Sequence, residues 1–205
     1  MDDRNHIAFD IGNVLYHVDM KSFYKFIVDR GITDTIERAE EFVAGIQYPQ
    51  DLGLYNIRQG FYRFNPYLSK ETLADLHDVW IDVAKPAEPM IALIEELIGE
   101  GYSIALLSNI GKDHAALIRQ KCKIFEKCHQ HFSCEVGARK PTKLYYQSFI
   151  QESHWTHLPR FFDDREENIQ GAKGFLEGTR FDLDDYNNDE EAAAAMRAHV
   201  TRYIL

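Results

Sequence analysis

His6-Ile7-Ala8-Phe9-Asp10-Ile11-Gly12-Asn13-Val14-Leu15-Tyr16 changes character in its middle: an apolar run stops at an aspartate, and a glycine and an asparagine follow. The pattern returns twice. Tyr102-Ser103-Ile104-Ala105-Leu106-Leu107 ends at Ser108-Asn109, and Arg160-Phe161-Phe162 ends at Asp163-Asp164. Runs of this length that do not alternate polar with apolar predict strands buried on both faces. Helical patterns separate the later two, so the chain reads as α/β, with a doubly wound, Rossmann-like parallel sheet.

Around these strands the helices follow from spacing and punctuation. Pro89 to Gly99 puts Met90, Leu93, Ile94, Leu97 and Ile98 on one face, with Gly101 as a stop. Further helices are expected over 113–121, from Pro141 as a first-turn proline, over 166–176, and over the alanine-rich 190–200 with its acidic start. The segment from Tyr16 to Glu88 is too long for a βα connection and carries helical patterns over 20–30, 34–46 and 70–83. The predicted organisation is an α/β core from 1–15 and 89–205, with a small all-helical cap, 16–88, inserted after the first strand.

Composition narrows the partners. Forty-five per cent apolar and 27% charged residues are globular values, which excludes wholesale disorder. With 23 Lys and Arg against 33 Asp and Glu, the formal net charge of −10 disfavours nucleic acid and anionic membrane. It also means that a phosphate site must supply its own positive charge. No apolar run reaches the roughly 18 residues of a membrane span, and the polar stretch Met1–His6 does not resemble a signal peptide. With three cysteines and nothing suggesting secretion, the expectation is a reduced, cytoplasmic protein. The oligomeric state is not legible.

In open α/β sheets, ligands bind beyond the carboxyl ends of the strands. The three strand ends therefore bring together Asp10, the Gly12-Asn13 backbone, Ser108, Asn109, Asp163 and Asp164, and Lys140 stands just before a helix. Taken singly, each residue has a plainer role: a turn former, a helix cap, a solvated lysine. Together they offer oxygens for a hard cation, a carboxylate free to attack, hydroxyl and amide donors, and one ammonium. Magnesium commonly uses one or two carboxylates plus substrate phosphate, so the chemistry suggested is phosphoryl transfer.

Four motifs in order, Phe9-Asp10-Ile11-Gly12-Asn13-Val14-Leu15, Leu107-Ser108-Asn109, Arg139-Lys140-Pro141 and Phe162-Asp163-Asp164-Arg165-Glu166-Glu167-Asn168-Ile169, resemble those of the haloacid dehalogenase-like hydrolases. The resemblance covers most of the chain, because the insert falls at the family's helical cap position. It implies an Mg2+-dependent phosphatase acting on a small phosphorylated metabolite, such as a sugar phosphate, through an aspartyl-phosphate. Asp10 would be the nucleophile, Ser108 and Asn109 would bind the phosphoryl oxygens, and Lys140 would pair with the phosphate and with Asp10. The metal would take Asp10, the Gly12 carbonyl and Asp164, with Asp163 and Asn168 supporting, Asn168 through water. The alternatives are a metal-independent haloacid dehalogenase, a phosphomutase, and a non-catalytic scaffold that binds a phospho-ligand.

One family position is missing. Most phosphatases of this family carry a second aspartate two residues after the nucleophile, which protonates the departing oxygen; here Gly12 stands there. His17, Asp19 or a cap residue could replace it. Without such an acid the expected substrates are esters whose leaving group needs little protonation, such as anomeric, acyl or aryl phosphates. Three further stretches read as structural. Cys122, Cys128, His129, His131 and Cys134 lack the CxxC spacing of zinc knuckles and suit a helix end leading into a strand. The acids from Asp182 to Glu191 suit a solvated loop and a helix start. Most of the rings Tyr55, Phe61, Tyr62, Phe64 and Tyr67, near Arg58 and Arg63, are expected in the cap core.

Overall fold

The run Ile7–Phe9 is the central strand of a five-stranded sheet in which every neighbouring pair is parallel. The computed structural model describes residues 5–155 and 157–201; the first four residues of the polar N-terminus, Thr156 and Arg202–Leu205 lie outside the described residues. In chain order the elements are β1 (His6–Phe9), β2 (Tyr16–Val18), α1 (Met20–Asp29), α2 (Ile36–Asp51), α3 (Ile57–Phe64), α4 (Lys70–Asp82), β3 (Ala84–Pro86), α5 (Glu88–Gly99), β4 (Ser103–Ser108) and α6 (Lys112–Lys121). They continue with β5 (His129–Phe132), α7 (Ser133–Val136), α8 (Lys143–Ser153), β6 (Arg160–Asp163), α9 (Glu166–Ala172), β7 (Glu177–Arg180) and α10 (Asp189–Thr201).

The sheet order is β5-β4-β1-β6-β7. The chain builds outward from β1 through β4 to β5, then crosses back to lay β6 on the other side of β1. That reversal opens a crevice between β1 and β6 at their carboxyl ends, the usual ligand position in such sheets. Both sheet faces are covered, which is why the strand runs do not alternate. Ile7, Phe9, Ile104, Leu106 and Phe162 share one core with Met90, Ile94 and Leu97 of α5 and with Met196 and Val200 of α10. Ala8, Ala105, Leu107 and Phe161 share the other with Tyr145, Tyr146 and Phe149 of α8 and Ile169 of α9.

Between β2 and β3, which pair antiparallel with Val18 opposite Ala84, the four helices α1–α4 gather around their own core of Phe23, Ile27, Val43, Ile46, Phe61, Leu76 and Trp80. Asn56 and Gln59 form a reciprocal capping box that starts α3. Among the rings of this stretch, Phe61 is buried and Tyr55 half-buried, whereas Tyr62, Phe64 and Tyr67 are exposed. This corrects the expectation that most are core: α3 turns only Ile57, Gly60 and Phe61 inward.

Other boundaries also move. Helix α2 runs past Ile46 to Asp51, with Pro49 inside its last turns. Pro141 is not a first-turn residue; it follows a cis peptide bond, and α8 starts at Lys143 behind Thr142. Asn109 binds both backbone groups of Lys140 and keeps that residue outside the helix. Helix α9 stops at Ala172, Gly174 takes a φ of +86°, and the chain turns into β7, a strand hidden in the sequence by its polar composition. Among the described residues no helix is long and apolar enough to cross a membrane.

Candidate active site

Asp10 follows β1, Ser108 ends β4, and Asp163 ends β6 with Asp164 next, so the sheet register itself brings these side chains to one edge. The Asp10 backbone N–H donates to the Phe162 carbonyl at 2.8 Å, which ties the first residue beyond β1 to β6. Asn13, with φ of +54°, turns the chain back; its N–H donates to the Tyr16 carbonyl at 2.6 Å. That turn aims the Asn13 amide at Asp164, donating to Oδ2 at 3.2 Å.

Lys140 is the hub. Its Nζ, 1% exposed as a residue, lies 2.9 Å from Asp10 Oδ1 and 2.6 Å from Asp163 Oδ2. Burial works against its charge, but the two carboxylates prevail and hold its pKa above the ordinary lysine value. Asp163 is fully buried and saturated, since its Oδ1 accepts from the Arg165 N–H at 2.9 Å and from Asn168 Nδ2 at 2.8 Å. Asp10 receives Lys140 and the Ile11 N–H, at 2.7 Å, both on Oδ1, which leaves Oδ2 clear of them.

The carboxylates Asp10, Asp163 and Asp164 offer oxygens within 4.8 Å of one another. Burial, against the pull of Lys140, together with the charges of Asp163 and Asp164, pushes Asp10 up to about 7. Burial and Asp163 also raise Asp164, despite its bond from Asn13. When all three are ionised, one ammonium leaves two negative charges in excess. A phosphate dianion would be repelled by such a site, and a divalent cation cancels the excess. The donor set, hard oxygens from two strand ends, suits Mg2+.

The predicted residues therefore meet at one edge, and the two asparagines also tie its charged side chains in place. Asn109 binds the Lys140 backbone: Nδ2 donates to the Lys140 carbonyl at 2.9 Å, and Oδ1 accepts from the Lys140 N–H at 2.8 Å. These bonds fix the Lys140 backbone, and Ser108 sets its hydroxyl at the same strand end. Asn168 Nδ2 donates to Asp163 Oδ1 at 2.8 Å, while its Oδ1 has no hydrogen-bond partner among the described residues. The alternative acids stand aside. His17 Nε2 pairs with Asp189 at 2.8 Å, and the exposed Asp19 caps α1 through Ser22.

The sequence reading missed the residues that the helical insert brings to this edge. A cavity of about 100 Å³ runs from Gly12, Ser108 and Asn109 to Asp51 and Trp80 of the insert. Arg139 joins the two sides, with its guanidinium 3.4 Å from Asp51 and stacked over the Tyr48 ring at 4.8 Å. A weak signal for Asp51 existed in the sequence: an acid two residues before Gly53 at a helix end, where the dipole disfavours it.

Elsewhere, the buried cysteines are free and separate, Cys122 bonding Tyr16 Oη at 2.8 Å. Among the described residues the acids of 182–191 do not form a metal-sized group. His129, His131 and Glu152 do, but both ring nitrogens of His131 are already engaged, by Glu152 at 2.9 Å and by Ser148 and the Tyr145 carbonyl.

No family model matches the chain. A diaminopimelate epimerase from Azoarcus sp. (strain BH72) is 26% identical over 120 residues; these are 58% of this chain and 41% of that protein, so the chain spans about two fifths of its length. Among solved structures, a HAD-like family hydrolase from Porphyromonas gingivalis is similar with a TM-score of 0.77, at 19% identity over 97% of this chain and 98% of that one. A HAD family enzyme from Bacteroides thetaiotaomicron, in complex with magnesium and inorganic phosphate, follows at 0.69, with 20% identity over 87% and 94%. An L-2-haloacid dehalogenase from Xanthobacter autotrophicus, with chloropropionic acid covalently bound, gives 0.57 at 16% identity over 86% and 77%. The chain has the haloacid dehalogenase-like fold.

Proposed function

We propose that a chain with this fold and this strand-end cluster is an Mg2+-dependent phosphatase that hydrolyses a small phosphorylated metabolite through an aspartyl-phosphate on Asp10. The observation that carries it is the buried Lys140 held between Asp10 and Asp163 beside the partly open Asp164. In this reading residues 16–88 are a cap over the site, and the substrate is enclosed between the two. The Bacteroides enzyme's complex with magnesium and phosphate supports the pairing of this fold with that chemistry. The epimerase likeness, limited to 41% of that protein, transfers no activity.

Asp10, the Gly12 carbonyl and Asp164 would hold the ion, which when bound supplies the positive charge that the carboxylate cluster lacks. Lys140 and the Ile11 N–H fix Asp10 through Oδ1, so that Oδ2 faces the phosphorus as the attacking oxygen. The Lys140 ammonium neutralises charge on the transferring group, and the Ser108 hydroxyl donates to one of its oxygens. Asp163 takes no part in bond making; it keeps Lys140 charged and in place. The same carboxylates speak against a metal-independent dehalogenase, in which they would repel a carboxylate substrate.

The test is turnover of p-nitrophenyl phosphate with Mg2+ and with EDTA, beside chloride release from 2-chloropropionate. Phosphate release that needs Mg2+ is expected. Chloride release insensitive to EDTA would replace this reading with dehalogenation, and neither activity would leave a binding scaffold.

A further inference from the structure

Asp51, the last residue of α2, is 2% exposed, and its Oδ2 has no hydrogen-bond partner among the described residues. Arg139 stands 3.4 Å away without hydrogen-bond geometry. The preceding Gln50 is fully buried with both amide atoms likewise unpartnered. Native proteins rarely leave such groups unsatisfied, and each one calls for a ligand, an ordered water or a chemical role. These groups are held there by close packing: a Cβ on Gly111 would come within 2.3 Å of Gln50, and one on Gly53 within 2.1 Å of the Cys134 carbonyl. Lys112 Nζ also donates to the Gly53 carbonyl at 2.8 Å, and the Ile57 N–H donates to Asp113 at 2.9 Å.

Asp51 and the strand-end residues Gly12 and Ser108 line the same cavity. Its other proton carriers are Tyr16 and His114. Tyr16 is engaged with Cys122, and burial raises its hydroxyl far above the ordinary value. His114 Nε2 lies 2.9 Å from the Trp80 carbonyl, and burial lowers its pKa, so it is neutral with that N–H already committed.

We propose that Asp51 protonates the departing oxygen, and that the substrate is therefore an alkyl phosphate, whose unactivated alcohol leaves on the helical side of the site. This rests on the phosphatase reading above. As Asp10 attacks phosphorus, the P–O bond to the alcohol breaks, its electron pair stays on that oxygen, and the Asp51 proton moves there. In the second half-reaction water attacks the aspartyl-phosphate, and its proton returns to the Asp51 carboxylate as Asp10 and inorganic phosphate are released. Burial, against the pull of Arg139 and Lys140, pushes Asp51 up to about 7, which suits a group that gives and regains a proton near neutrality. The charged groups acting on it are Arg139 and Lys140 from the segment before α8, and the neutral His114 of α6 lines the same cavity.

The experiment compares the wild type and Asp51→Asn, with Mg2+, on p-nitrophenyl phosphate and on three alkyl phosphates: glycerol phosphate, ethanolamine phosphate and a hexose 6-phosphate. Expected is wild-type turnover of at least one alkyl phosphate. In Asp51→Asn that activity falls about 10²- to 10⁴-fold, while the aryl ester, whose leaving group needs no proton, loses less than about tenfold. The fall of wild-type alkyl turnover above about pH 7 should vanish in the variant. Equal losses on both ester types, or no loss, overturn the proposal, as does a wild type active on the aryl ester alone. A wild type inactive on every ester with Mg2+ removes the phosphatase reading itself.

Discussion

Asp163 and Asp164 are neighbours in sequence with different jobs in the structure. Asp163 is saturated by Lys140, Asn168 and the Arg165 N–H, whereas Asp164 is half-buried and, among the described residues, is bonded through its side chain by Asn13 alone. Asp164→Ala should therefore raise the Mg2+ concentration needed for half-maximal activity at least tenfold and leave stability nearly unchanged. Asp163→Ala removes one of two counter-charges from a buried ammonium and should lower stability by about 3–5 kcal/mol. Magnesium titrations and denaturant unfolding of both variants separate the roles; the reverse pattern would exchange them. Asp10→Asn should lower turnover by at least about 10³-fold, since the amide cannot attack phosphorus, and near-normal rates in that variant would reject the nucleophile. Asp51 gives a third prediction. Its pKa rises on folding from the ordinary 3.8 to about 7, so between those values the folded chain holds a proton that the unfolded chain has lost. Wild-type stability then falls as pH rises through this window, by up to the order of 4 kcal/mol. Asp51→Asn should accordingly be the more stable protein at pH 8 and its equal at pH 4. Unfolding at both pH values, without metal, checks the sign.

At the scale of elements, what the sequence showed plainly was whatever local chemistry determines. The apolar runs ending at Asp10, Ser108 and Asp163 became β1, β4 and β6 to within one residue, because a strand buried on both faces cannot be mistaken for an exposed one. What stayed hidden depends on contacts between distant segments. Glu177–Arg180 contains no apolar residue and is a strand only because β6 offers it a partner. The tie from Asn109 to Lys140 stayed hidden because its two bonds join residues 31 apart. Asp51 could not be placed beside Gly12 and Ser108 until α2 was seen against α7, with Gln50 pressed on Gly111. That docking is testable at two glycines with similar φ. Gly53, at +72°, would drive a Cβ into the Cys134 carbonyl, whereas Gly31, at +65°, has nothing within 4 Å. Gly31→Ala should lose only the backbone strain, about 1 kcal/mol. Gly53→Ala should lose about 2–3 kcal/mol and displace Asp51, so that alkyl phosphate turnover falls more than aryl turnover. Matching effects in melts and kinetics at the two positions would show that the contact is not tight.

At the scale of the whole molecule, the chain is two hydrophobic assemblies joined through the antiparallel pair β2 and β3. The sheet's cores draw on β1, β4, β6 and the helices α5, α8, α9 and α10, while the insert's core is made by α1–α4, with Ala84 packed at the edge of both. Removing only Tyr55 to Tyr67 would take Ile57 and Phe61 from the insert's core and leave the remainder unable to pack, so a clean excision must take all of 19–83. The ends are suited to it: Val18 and Ala84 are paired across β2 and β3, and an Asn-Gly turn closes such a pair. The excision uncovers Ile110 and His114 but leaves Asp10, Ser108, Lys140, Asp163 and Asp164 on intact strand ends. The excised protein should therefore keep α/β circular dichroism and Mg2+-dependent hydrolysis of p-nitrophenyl phosphate. Its turnover of alkyl phosphates should fall by about the factor seen for Asp51→Asn, because the acid leaves with the insert. Loss of cooperative unfolding would make the insert part of the fold's foundation. Retained alkyl turnover would place the proton donor in the sheet domain, since every residue that the insert contributes would then be dispensable for protonating the leaving group.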